Sequence, residues 1–97
     1  MLLDELGFPE LTAEQIEFLC QTTEDTVRKY ILNQVASKDV NQLDIFVEVE
    51  GTKPVNVSVE VELVLTKQAE AIDVEALVKH AVETGQTTAE NFLRKIQ

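Results

Sequence analysis

The sequence predicts a two-layer α+β domain in which two helices pack on one face of an antiparallel β-hairpin. Near both ends of the chain, apolar residues recur every three or four positions. In the middle third they alternate with polar residues, and a turn containing glycine and proline divides that third in two. The expected order is therefore helix, strand, strand, helix, and we expect residues 1–97 to form a single domain.

The first predicted helix covers about residues 12–37 and follows an irregular lead-in, residues 1–11. Thr12 and Gln15 have the spacing of a capping box, in which each side chain accepts a hydrogen bond from the other residue's backbone N–H. After this cap, the apolar residues form a helical stripe that continues to Val35. The apolar residues of the lead-in are expected to pack on the domain: Leu6, Phe8 and Leu11.

The two predicted strands cover about residues 43–50 and 55–66. Their alternation places valines on one face and carboxylates on the other. For valines to lie opposite valines across the hairpin, the sequence numbers of the two opposed residues must add up to an even number. A three-residue loop, 51–53, meets this condition and places Val47 opposite Val57. A shift of the strand register by one residue would bury carboxylates.

The second predicted helix covers about residues 73–96, with Asp73 as its N-cap. Gly85 interrupts the apolar stripe. Thr87 and Glu90 then repeat the spacing of a capping box, so we expect a break in the helix near Gly85.

The predicted sheet is too small to be stable alone, because two strands leave both edges unpaired. A homodimer that extends the sheet or pairs the helices is the preferred solution. The alternative is a monomer whose lead-in covers one edge.

Composition excludes several classes of function. The chain has 18 acidic and 8 basic residues and a net charge of −10, which argues against a general nucleic-acid binder. No apolar run approaches the roughly 20 residues that cross a bilayer, and the first residues do not resemble a secretion signal. We therefore expect a cytoplasmic protein with no membrane association. The single cysteine cannot form an internal disulfide.

No arrangement of residues predicts catalysis or a cofactor. His80 has no nucleophile or carboxylate partner that the sequence reveals, and it is interpreted as a surface or boundary residue. Cys20 lies on the apolar stripe and is interpreted as a small buried hydrophobe. Metal-ligand spacings and phosphate-binding glycine motifs are missing from the sequence. The prediction is a protein that is not an enzyme and has no cofactor.

The best candidate for a functional surface is the acidic side of the hairpin, which would bind a basic protein partner. Its residues are Asp44, Phe46, Glu48, Glu60 and Glu62. An apolar residue within a ring of carboxylates is typical of the centre of an interface. Two simpler interpretations stay open: a solvated face with no function, and a loose site for a hard cation.

Several segments carry a family resemblance. They are Tyr30–Ser37 (YILNQVAS), Lys38–Val40 (KDV), Leu43–Glu50 (LDIFVEVE), the strand Val55–Leu65 and the helix opening Asp73–Leu77 (DVEAL). Over about residues 11–82 this pattern resembles a family of small archaeal proteins of unknown function. The interruption at residues 85–88 departs from the unbroken final helix of that family.

The resemblance implies a helix-strand-strand-helix domain and carries over no functional residue. It also implies genes that neighbour those for the prefoldin beta subunit and transfer-RNA modification factors. The function predicted is an interaction module that acts as a homodimer. One alternative is a small-ligand carrier or small enzyme with a pocket between helices and sheet or at a dimer interface. The other is an accessory factor for nucleic acids or transfer-RNA modification.

Overall fold

The computed structural model describes residues 11–51, 55–69 and 71–95, which form two α-helices and a two-stranded antiparallel sheet. The elements are α1 (Ala13–Gln34), β1 (Val40–Glu50), β2 (Asn56–Leu65) and α2 (Val74–Lys95). Short 3-10 turns, Ser37–Asp39 and Lys67–Ala69, lie in the two connections between helix and sheet. Both helices pack on the same face of the sheet, α1 mainly on β1 and α2 mainly on β2. The predicted α+β class is confirmed.

The start of α1 is fixed by the capping box that the sequence predicts. The N–H of Gln15 donates to Thr12 Oγ1 over 3.1 Å, and the N–H of Thr12 donates to Gln15 Oε1 over 2.9 Å. The helix ends three residues earlier than expected, at Gln34, because Val35 adopts an extended conformation with φ −134° and ψ 133°. At the start of α2, Asp73 is the predicted N-cap, and its Oδ1 accepts from the N–H of Ala76 over 3.1 Å.

The predicted break near Gly85 is wrong, because α2 continues through this residue without interruption. Gly85 is buried where α2 comes closest to α1 and β2. A Cβ at this position would lie 2.7 Å from Cγ2 of Val27 and 3.3 Å from Cγ1 of Val59. The glycine therefore permits close packing. The capping box predicted after it is absent, and the Thr88 hydroxyl instead donates to the carbonyl oxygen of Thr84 over 3.0 Å.

From Gln42 to Glu50 the register of the hairpin follows the even-sum rule, and a register shift precedes Gln42; the loop is longer than predicted. Pairing next to the turn is Glu50–Asn56, Val49–Val57, Glu48–Ser58 and Val47–Val59. The predicted pairing of Val47 with Val57 is therefore wrong. A shift of two residues leaves every side chain on its own face, so the apolar pattern cannot distinguish these two registers. Gly51 begins the turn with φ 77°, a conformation that favours glycine.

Within the described residues, the core between the layers includes two clusters that follow one another along the helices. One contains Val27, Ile31, Val59 and Ala81; the other contains Leu19, Ala89 and Leu93. Leu11 packs against the second cluster. Leu6 and Phe8 lie outside the described residues. Between the clusters lie Gly85 on α2 and the fully buried Thr23 on α1.

Candidate functional site

The candidate acidic face lies on the side of the sheet that is turned away from the helices. β1 contributes Asp44, Phe46 and Glu48, and β2 contributes Glu60 and Glu62. These residues share one face because their numbers are all even and side chains alternate along a strand. The register places Asp44 opposite Glu62 and Phe46 opposite Glu60. The structure thus brings all five together as one surface, which we call the acidic face.

Phe46 lies at the centre of the acidic face. Asp44 and Glu48 flank it along β1, Glu60 lies opposite, and Glu62 lies on the diagonal. The ring of Phe46 is exposed, with 51% of its surface accessible. Val64 is a second exposed apolar residue on the same face, opposite Gln42. The surface therefore has an aromatic centre with a carboxylate rim.

The charges on this face have no partners within the sheet. β1 and β2 contain five carboxylates, including Glu50, and no lysine or arginine. The ion pair found among the described residues lies on α1, between Arg28 and Glu24 at 2.8 Å. Asp44 accepts a hydrogen bond over 2.6 Å from the side-chain amide of Gln42, a donor that carries no charge. Asp44 and Glu62 meet directly across the strands, an arrangement that costs free energy.

These carboxylates do not converge on a cation. Within the described part of the chain, no three His, Cys, Asp or Glu side chains lie close enough to hold a metal ion. The register explains this, because Phe46 separates the carboxylates and Glu48 faces Ser58.

The two residues that sequence analysis singled out for reactivity lie away from this face. Cys20 Sγ lies 4.0 Å from the carbonyl oxygen of Val47, beneath α1. Partial burial raises the pKa of the Cys20 thiol above its ordinary value, so the group is an uncharged thiol at neutral pH. His80 is exposed on α2.

An open groove lies between the C-terminal half of α2 and the first residues of β2. It has a volume of about 490 Å³. Its apolar lining comes from Val57, Ala89 and Leu93, and its polar lining includes Asn56, Gln86 and Arg94. The hypothesis of a small-ligand carrier places its pocket in such a location, and it stays a prediction. Its lining residues were not predicted, because packing between distant parts of the chain decides which residues of α2 and β2 lie side by side.

Sequence analysis also missed an aromatic pair on the outer side of the helix layer. Phe18 on α1 and Phe92 on α2 lie with ring centroids 5.7 Å apart and ring planes inclined by 38°. Phe18 is the most exposed large apolar residue in the described part of the chain, at 62%. We call this pair the aromatic patch. The apolar stripes predicted α-helices, but they could not show which residues of α1 and α2 meet.

Neither described helix has the length and apolar character that a bilayer-spanning helix requires.

The fold and the sequence together identify the family. Residues 8–94 match the family model described as a protein of unknown function (DUF3194), and the chain belongs to this family. The resemblance to small archaeal proteins of unknown function is thereby confirmed.

Relatives of similar length occur in archaea. An uncharacterised protein of Thermococcus kodakarensis is 29% identical over 91 residues, which cover 94% of this chain and 83% of the relative. An uncharacterised protein of Pyrococcus furiosus is 23% identical over 91 residues, which cover 94% of this chain and 81% of the relative.

Two solved structures have the same fold. The solution structure of a hypothetical protein from Methanothermobacter thermautotrophicus has a TM-score of 0.77 and 26% identity, with 92% of this chain and 96% of that chain covered. A crystal structure from Thermococcus onnurineus has a TM-score of 0.76 and 24% identity, with 91% of this chain and 84% of that chain covered. These likenesses support the two-layer arrangement described above.

Proposed function

We propose that this protein is a non-enzymatic interaction module whose acidic face binds a basic protein partner. The observation that carries the proposal is the exposed ring of Phe46 inside a group of carboxylates that lack basic neighbours on the sheet. A surface of this kind attracts a positively charged partner at long range and offers it an apolar contact at short range.

Arginine is the side chain that best fits this surface. Its guanidinium group stacks on an aromatic ring and donates paired hydrogen bonds to carboxylates at the same time. Phe46 supplies the ring, while Glu60 opposite and Glu48 along the strand supply acceptors on two sides. The cross-strand repulsion between Asp44 and Glu62 also favours binding, because a cation placed near both relieves it.

The test measures the affinity of an arginine-rich peptide by fluorescence polarisation. The double variant Glu48→Lys/Glu60→Lys is expected to bind at least about tenfold more weakly, since it reverses two charges of the face. Phe46→Ala is expected to weaken binding about threefold to tenfold through loss of the cation–π contact.

The matched control is Glu75→Lys/Glu83→Lys on α2. Each pair of substitutions removes two negative charges and adds two positive ones, so both variants move the net charge from −10 to −6. If the control weakens binding as much as the sheet variant, the peptide senses overall charge and the acidic face is not its binding site. If no basic peptide binds at all, the proposed function is wrong.

We further propose that the module acts as a homodimer joined through the helix layer. The aromatic patch supports this, because Phe18 is 62% exposed and sits beside a second ring on the adjacent helix. Pairing through the sheet is less favourable. The strands carry five acids and no bases, so a second copy would place carboxylates beside carboxylates.

Light scattering tests the dimer. We expect a mass of twice the 10.9 kDa chain, and Phe18→Ser should return the mass to that of one chain without loss of folding. Leu32→Ser is the control, since it also removes an exposed apolar side chain from α1. A single-chain mass for the unaltered protein at high concentration would refute the dimer.

A further inference from the structure

Among residues 11–51, 55–69 and 71–95, no strand pairs with the outer edge of β2. In the described part of the chain the sheet consists of β1 and β2, and β2 is paired there along one side. In the described ranges, no other element forms backbone hydrogen bonds with Asn56–Leu65. An extended segment that lies along this edge would find a row of unpaired N–H and C=O groups.

The space for such a segment is already present beneath α2. Packed helices lie about 8–10 Å apart, whereas neighbouring strands lie about 5 Å apart, so two helices are wider than two strands. The groove of about 490 Å³ described above lies on the β2 side, beside the beginning of that strand. Val57, Ala89 and Leu93 form its apolar lining at the edge of the core. A segment added beside β2 would reach this groove at the end of the strand that is nearest the turn.

We propose that an extended, basic segment of the partner protein adds to the outer edge of β2 as a third strand. This inference rests on the proposed function and specifies how the basic partner binds. Because side chains alternate along a strand, the segment would direct apolar residues into the groove and lysine or arginine residues beside Glu60 and Glu62. Main-chain hydrogen bonds to the edge of β2 supply affinity. The apolar and basic faces of the added segment supply specificity.

Charge selects a foreign segment over one from the chain itself. A second copy of β1 or β2 would bring carboxylates and no basic residue to the acidic face. Residues 1–10 of the chain contain Asp4, Glu5 and Glu10 and no lysine or arginine, so they do not complement it either. A segment with alternating basic and apolar residues complements both the acidic face and the groove.

The test compares two probes by fluorescence polarisation. One is a short peptide of alternating arginine and valine; the other is the same peptide with N-methyl groups on its central residues. The methyl groups keep the charge and the sequence but remove the backbone donors that strand addition requires. We expect the N-methylated peptide to bind at least about tenfold more weakly.

Two variants of α2 test whether the peptide binds at the groove. Gln86→Trp places a large side chain in the groove and should also weaken binding at least about tenfold. Thr87→Trp is the matched control, because Thr87 is the adjacent exposed residue of α2 and does not line the groove. Binding to Thr87→Trp should equal that of the unaltered protein.

The outcomes separate this inference from the function on which it rests. Equal binding of both peptides, with no effect of Gln86→Trp, overturns strand addition and leaves the acidic face as the binding surface. Binding of neither peptide overturns the basic partner itself. If Gln86→Trp instead dissociates a dimer of the protein, the occupant of the groove is a second copy and the inference is wrong.

Discussion

Gly85 shows how one residue controls the distance between the layers. Glycine is a poor helix former, so its position in the second apolar stripe predicts a break. In the folded chain its lack of a side chain instead admits Val27 from α1 and Val59 from β2. A sequence pattern cannot separate these two uses of glycine, because the difference depends on contacts with residues far away in the chain.

Gly85→Ala is expected to destabilise the fold despite the better helix propensity of alanine. The added Cβ would lie 2.7 Å from Val27 Cγ2, and overpacking of this kind costs about 1–3 kcal/mol. The gain in propensity is only about 1 kcal/mol. Urea denaturation measures the change in the free energy of unfolding.

Val27→Ala is the informative companion to this change. It leaves space for the new methyl group, so the double variant should be more stable than the sum of the two single changes predicts. Additive effects, or a Gly85→Ala variant as stable as the unaltered protein, would contradict the close-approach role of Gly85.

At the scale of elements, alternation was the most informative signal in the sequence. It predicts both strands, the valine face that packs on the helices and every residue of the acidic face, since a period of two allows only one assignment of faces. Helix starts were also predictable, because capping by Thr12 and Asp73 is a local interaction. The loop between the strands was not, since registers that differ by two residues bury the same side chains.

Opposite faces of β2 should respond differently to the same substitution. Val59 is buried in the core at 7% exposure, whereas Val64 is 48% exposed on the acidic face. Val59→Asp should unfold the domain, because a buried charge without a partner costs several kcal/mol and small domains have little stability to lose. Val64→Asp should leave the protein folded.

Far-ultraviolet circular dichroism during a thermal melt distinguishes the two variants. Val64→Asp controls for the introduced charge and for the lost β propensity, so only burial differs between them. A cooperative melt of Val59→Asp near that of the unaltered protein would mean that the valine face is not the core.

At the scale of the whole molecule, the chain is elongated. Its radius of gyration is 15.3 Å and its extents are 50 × 25 × 18 Å, whereas a compact domain of this length has a radius of gyration of about 12–13 Å. The cause is the pairing of two 22-residue helices with a narrow sheet, which divides the core into two clusters. The groove and the aromatic patch follow from this shape, so neither was predictable from local patterns.

The net charge of −10 should make stability depend strongly on salt. The acidic face holds carboxylates without basic neighbours on the sheet, and Asp44 faces Glu62 across the strands. Dissolved ions screen this repulsion, with a Debye length of about 30 Å at 0.01 M and about 3 Å at 1 M. The melting temperature should therefore rise as sodium chloride is increased from about 0.01 M to about 1 M.

Glu62→Gln locates the origin of this effect. The substitution removes the cross-strand repulsion with Asp44, so it should raise the melting temperature at low salt and reduce the rise on adding salt. Glu75→Gln is the control with the same change in net charge. Glu75 lies in the first turn of α2, where a negative charge interacts favourably with the helix dipole, so its loss should lower stability slightly at low salt.

A melting temperature that falls with added salt would show that attractive ion pairs dominate the electrostatics, contrary to the unpaired carboxylates of the acidic face.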